Sequence, residues 1–140
     1  MCLQPTMDAP SADALILRSM QLLAHHGTTR LVEPGDVIFA AGDLGDCLYG
    51  VLEGTVQLSW GDGGGAELLG AGRCFGEGAL VQPAHTRHGT ARAMEACRLL
   101  VMDRETFLFA LESLPMFALE LLASLEGRLQ DLRQDDGGQS

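Results

Sequence analysis

The sequence predicts a mainly β domain, an antiparallel β-roll flanked by helices, and three observations carry that expectation. Glycine is abundant, at 18 of 140 residues, while aromatics make up only 5%, a balance that suits tight turns between short strands better than a helical bundle. Between residues 31 and 103, turn residues interrupt the chain about every eight to twelve positions, the spacing of a β-sandwich or barrel. On either side of that region apolar residues recur at helical spacing instead. With 140 residues and 46% apolar content, one hydrophobic core and one domain over 1–140 follow.

In chain order, a polar start ends at Pro10, and residues 11–26 place Ala12, Ile16, Met20 and Leu23 on one helical face. Ser11 is the expected N-cap, Asp13 suits the first turn, and Gly27 is expected to end the helix. The β-roll, 31–103, is punctuated by Pro34-Gly35-Asp36, Gly42-Asp43, Gly45-Asp46, Glu53-Gly54 and a glycine-rich hairpin tip from Gly61 to Gly65. Alternation puts Val56, Leu58 and Trp60 on one face, expected to point inward. Residues 104–133 return to helical period as a short helix from Arg104 and a longer one opened by Pro115, a residue tolerated in a first turn. The tail, 134–140, is polar.

Nine basic residues stand against nineteen acidic ones, giving −10, and every basic residue is arginine. Without lysine neither a P-loop nor Schiff-base chemistry can be built. A pI near 4.6 argues against nucleic acid and against an anionic membrane as partners. Cys2, Cys47, Cys74 and Cys97 contain no CxxC pair and read as reduced structural thiols. No basic leader and no stretch near the roughly 18 apolar residues of a membrane span occurs, so a cytoplasmic location is expected.

The segment that carries function is 72–93, GRCFGEGALVQPAHTRHGTARA. Phe75-Gly76-Glu77-Gly78-Ala79-Leu80, followed by Thr86-Arg87-His88-Gly89-Thr90, resembles the phosphate-binding cassette of the cyclic-nucleotide-binding domains in the catabolite activator protein superfamily, with Arg87 ten residues after Glu77. Upstream, Glu33 to Phe39, Ala41-Gly42-Asp43 and Leu48-Tyr49 leading to Leu52-Glu53-Gly54 are similar to that family's first hairpins. The resemblance implies a jelly-roll, cupin-like β-roll with one N-terminal helix, a short cassette helix and two C-terminal helices. Three positions depart from the pattern: Gly78 replaces a larger apolar residue, His88 a small hydroxyl residue and Gly89 another small residue.

A cyclic nucleotide offers one phosphate anion, a ribose 2′-OH and a flat base. Backbone N–H groups of Gly78 and Ala79, opening a helix after Gly76, would face the phosphate, and Arg87 would add a full charge with paired donors. Glu77 would repel the phosphate directly, so its expected role is to accept a hydrogen bond from the 2′-OH. His88 is expected at the same pocket, and the ligand is expected to be cAMP, with cGMP as the alternative.

No catalytic residue, cofactor or metal is expected. GxSxG and HExxH motifs are absent, and His85 with His88 lacks a third ligand at useful spacing, so these histidines read as solvated loop residues. Leu122, Leu125, Leu129 and Leu132, extended back to Ala118, form a stripe on the last helix. That stripe packs on the roll or, as in the family, pairs across a homodimer. The expected function is a regulatory sensor of cyclic nucleotide that signals to a protein effector through its C-terminal helices. The alternative is a β-roll interaction module that has lost nucleotide binding and acts through the last helix.

Overall fold

In the computed structural model, which describes residues 11–60 and 65–137, α1 spans Ala12–Ala24, and the Ser11 hydroxyl accepts the Ala14 N–H at 3.1 Å as an N-cap should. The helix stops earlier than expected, with His25 as C-cap. Gly27 lies outside the left-handed region, so it ends nothing through its φ. A Cβ there would come within 2.9 Å of the Leu23 carbonyl, and its smallness lets the chain turn back over the helix end.

Eight strands follow: β1 (Thr28–Val32), β2 (Val37–Phe39), β3 (Cys47–Glu53), β4 (Val56–Ser59), β5 (Ala66–Leu69), β6 (Cys74–Phe75), β7 (Thr90–Ala93) and β8 (Cys97–Asp103), with the one-turn helix α2 (Gly78–Val81) between β6 and β7. They form two antiparallel sheets, ordered β1-β8-β3-β6 and β2-β7-β4-β5. Val56 and Leu58 are buried as alternation predicts, and Trp60 packs half-buried against the same core. That core fills the space between the sheets. The expected hairpin tip falls largely outside the described residues, as do Cys2 and the end of the tail.

Asp103 closes β8 and caps α3 (Arg104–Ser113), its carboxylate accepting the Thr106 N–H at 2.8 Å. After Leu114 the chain bends by 114° into α4 (Pro115–Gly137). A second core cluster joins α1, β3, β8, α3 and α4 through Ile16, Met20, Leu48, Met102, Ala110 and Phe117, and it includes Leu80 of α2. Arg73, just before β6, ties this layer together: its Nε donates to Asp13 of α1 at 3.0 Å and its Nη2 to Asp131 of α4 at 3.4 Å.

The leucine stripe on α4 divides. The row facing the roll is Phe117, Leu121, Ser124 and Arg128, all buried. Leu125 and Leu132 are half-buried, whereas Leu122 and Leu129 are 62% and 49% exposed. Helical geometry accounts for the difference, since 117, 121, 124 and 128 form one 4-3-4 ridge and the leucines form the next. No single helix among the described residues is long and apolar enough to cross a membrane.

Candidate functional site

Arg87 enters the site from the loop before β7, and backbone bonds to the loop between β2 and β3 fix its position. Its N–H donates to the Asp43 carbonyl and its carbonyl accepts from Gly42, both at 2.8 Å, while Gly45 donates to His85 at 2.8 Å. The guanidinium is then nearly engulfed, leaving Arg87 5% exposed. Nη1 donates to the Gly76 carbonyl at 2.9 Å and Nη2 to the Cys47 carbonyl at 2.7 Å. Its central carbon lies 4.2 Å from the centroid of Phe39, on a cluster formed with Tyr49 and Phe75, a face that suits a weakly hydrated planar cation.

Two glycines make room for this group. A Cβ at Gly45 would overlap the guanidinium, and Gly76 adopts φ +80°, which side chains rarely tolerate, with its own Cβ position 2.6 Å from Nη1. No carboxylate among the described residues forms an ion pair with Arg87, and its Nε is buried without a hydrogen-bond partner. A buried cation with only neutral partners is a strong attractor for an anion.

Glu77 stands at the N-cap of α2, yet its side chain makes no capping bond. Its Oε1 is buried without a hydrogen-bond partner, 3.9 Å from Nη1 of Arg128, and is therefore available to a donor. Of the two amides expected to face an anion, that of Ala79 donates instead to the Gly76 carbonyl at 3.2 Å. With only four residues, α2 also has a weak dipole, so the cassette's positive potential comes chiefly from Arg87. His88 and His85 are not simply solvated. The His88 Nε2 meets the Oε1 of Gln82 across the rim, and His85, at φ +54°, places Nδ1 2.7 Å from the Ala79 carbonyl.

These groups surround a cavity of about 200 Å³ whose polar end holds Glu77 and Arg87 and whose apolar wall is Phe39, Leu58 and Trp60. Gly76, Gly78, Ala79 and His88 also line it, so all six residues singled out from the sequence meet here. Arg128 was missed. It reaches the cavity from α4, donating to both oxygens of Glu67 on β5 at 2.7 and 2.9 Å and to the Cys74 carbonyl at 2.7 Å. Burial works against its charge, but the bonds and charge of Glu67, helped by Glu77, outweigh burial and hold the guanidinium above its ordinary pKa. Its signal in the sequence is a lone arginine in step with Phe117, Leu121 and Ser124. Behind it the Cys74 thiol is pushed up to about 12, mainly by burial and then by the charge of Glu77. Cys47, Cys74 and Cys97 are buried free thiols.

A family profile described as "Cyclic nucleotide-binding domain" matches residues 29–113. The chain is 36% identical over 127 residues to the cyclic AMP receptor protein of Thermus thermophilus, covering 88% of this chain and 58% of that protein. The crystal structure of the Thermus thermophilus catabolite activator protein superposes with a TM-score of 0.66 at 34% identity, covering 84% of this chain and 57% of that one. A c-di-GMP-responsive global regulator of Xanthomonas campestris superposes with a TM-score of 0.71 at 24% identity over 89% of this chain and 63% of the other, a likeness of fold alone. The chain spans little more than half the length of the Thermus relative.

Proposed function

Because the chain belongs to the cyclic nucleotide-binding domain family, we propose that its cavity binds a cyclic mononucleotide, cAMP first and cGMP second, and that the chain is a regulatory sensor. The observation that carries this reading is Arg87, a buried cation with no acidic partner among the described residues, at the polar end of a cavity whose other wall is apolar. In this reading Arg87 binds the cyclic phosphate with help from the Gly78 amide, Glu77 accepts the ribose 2′-OH, and the base lies against Leu58 and Trp60. His88 and Gln82 form the rim over it. The Thermus relative is named for cyclic AMP, which supports cAMP as the first ligand.

Transmission runs through Arg128. It holds α4 to β5 and β6 while lying 3.9 Å from the carboxylate assigned to the ribose, so occupancy changes the electrostatic surroundings of the residue that anchors the last helix. The exposed apolar row of α4, including Leu122 and Leu129, supports a homodimer seam, with Leu125 and Leu132 at its edge. The reading treats 1–140 as one binding module, cytoplasmic and without catalysis, acting on a protein effector rather than on nucleic acid. Calorimetric titration with cAMP, cGMP and c-di-GMP tests it. Saturable binding of a cyclic mononucleotide that is lost on removing Arg87 supports the sensor, while the absence of binding by all three leaves a β-roll interaction module.

A further inference from the structure

A second concavity shares no lining residue with the nucleotide cavity. The end of α1, the end of β8 and the outer face of α3 enclose about 430 Å³ lined by Leu22, Leu23, Met102, Phe109 and Leu114, with His25 and His26 at one rim. It continues past Phe109 into a shallower trough bordered by Glu105, Leu108 and Glu112. Phe109 is 64% exposed, Leu22 57% and Leu108 47%. Large apolar side chains grouped in this way around a groove mark an interaction site on a water-soluble surface.

The residues lining the groove restrict its occupant. Helical spacing puts Glu105, Leu108, Phe109 and Glu112 on one face of α3, so two carboxylates flank the apolar floor and no arginine lines it. A second copy of this chain would bring a molecule of net charge −10, with Glu126 and Arg133 exposed beside the apolar row of α4 and Asp131 already held by Arg73. Like charges would then face one another across the groove. We infer that the groove receives an amphipathic helix from a different protein, one that seats apolar residues around Phe109 and carries arginines or lysines beside them to meet Glu105 and Glu112. Met102 lines the groove and also belongs to the buried cluster containing Leu80 of the cassette helix, so the same packed layer touches both concavities. The inference does not depend on the identity of the nucleotide.

The test uses the full chain and two labelled model peptides of leucine at i, i+3, i+4 and i+7, one with arginine at the flanking positions and one with glutamate. Fluorescence anisotropy at physiological salt reads binding to the parent, to Phe109→Asp and to the double variant Glu105→Arg/Glu112→Arg, with circular dichroism confirming the fold of these exposed-site variants. The arginine peptide should bind the parent and lose at least tenfold on each variant. The glutamate peptide should bind the double variant and not the parent. Equal binding of the arginine peptide to all three proteins would reduce it to attraction by net charge and overturn the proposal. So would no saturable binding up to about 1 mM, or a Phe109-dependent dimer in sedimentation, which would make the occupant a second copy.

Discussion

Replacing Arg128 by Met tests whether the last helix is held by a buried charge pair. The change removes two bonds to Glu67 and one to the Cys74 carbonyl. The Glu67 side chain is only 9% exposed, so water cannot replace what is lost, and stranding one member of a buried pair costs about 3–5 kcal/mol. Four kcal/mol, the middle of that range, shifts the folding equilibrium by roughly a thousandfold. Urea unfolding measures it directly. The decisive comparison is Arg128→Met combined with Glu67→Leu, which removes the stranded carboxylate as well and should recover about 2 kcal/mol or more, the uncovered Cys74 carbonyl accounting for the remainder. A single variant costing less than about 1 kcal/mol would show that the pair behaves as a surface ion pair. A double variant no more stable than the single one would show that packing of the arginine stem, not charge, was lost.

Arg87→Ala should weaken cAMP binding more than tenfold by calorimetry, a charge-assisted bond being worth about 1.5–3 kcal/mol, and equal binding by mutant and parent would move the site elsewhere. Since the Gly76 and Cys47 carbonyls lose their donor, the same variant should also unfold at lower denaturant by about 2–4 kcal/mol, a cost that the motif alone does not reveal. Glu77→Gln should reduce affinity for cAMP and spare 2′-deoxy-cAMP; equal losses for both would make Glu77 a loop-holding residue. Hydrogen exchange with cAMP should show added protection from Gly76 to Arg87 and altered exchange in α4, and an unchanged α4 would mean binding without transmission. Cys74, its thiol at about 12, should resist alkylation at pH 8 until the chain unfolds, since roughly one thiol in ten thousand is ionised there. The folded value is raised, so the native state retains a proton that the unfolded state releases, and stability should fall as pH rises above the ordinary thiol range of about 8.5. A flat profile there would place Cys74 in contact with solvent.

What could be read from the sequence divides along physical lines. The cassette was legible because its parts are contiguous: Gly76 must be glycine to adopt a left-handed φ, Glu77 follows it directly, and Arg87 lies within one loop of both. The helix starts at Ser11 and Asp103 were legible or nearly so, since capping is a local interaction. Arg128 was not, because its partners lie 61 and 54 residues away and within α4 it was hidden beside a more conspicuous row of leucines. Whether that row faces the roll or a second copy was not legible for the same reason. Apolar content identifies an amphipathic helix, but which ridge faces inward depends on the surface opposite, and here that surface offers Glu67 and the Cys74 carbonyl to a cation. The burial of Arg87 was likewise hidden, as it rests on Phe39 and Cys47, forty or more residues upstream.

Asp103 belongs to β8 and caps α3 at once, so there is no slack between the roll and its first C-terminal helix, and the two must turn as one lever. The joint is Leu114, whose backbone departs from helical angles, with α4 as the arm beyond it. From Pro115 to Arg128 that arm is about 20 Å long at 1.5 Å per residue. A swing of roughly 3° about Leu114 would carry Arg128 about 1 Å, enough to stretch a 2.7 Å bond to Glu67 past the limit of a hydrogen bond. Continued to Gly137, the same swing displaces the tip by nearly 2 Å. A pivot at Leu114 would thus give the contact at Arg128 a short throw and the far end a longer one, and a few degrees at one residue would suffice to break the first and move the second.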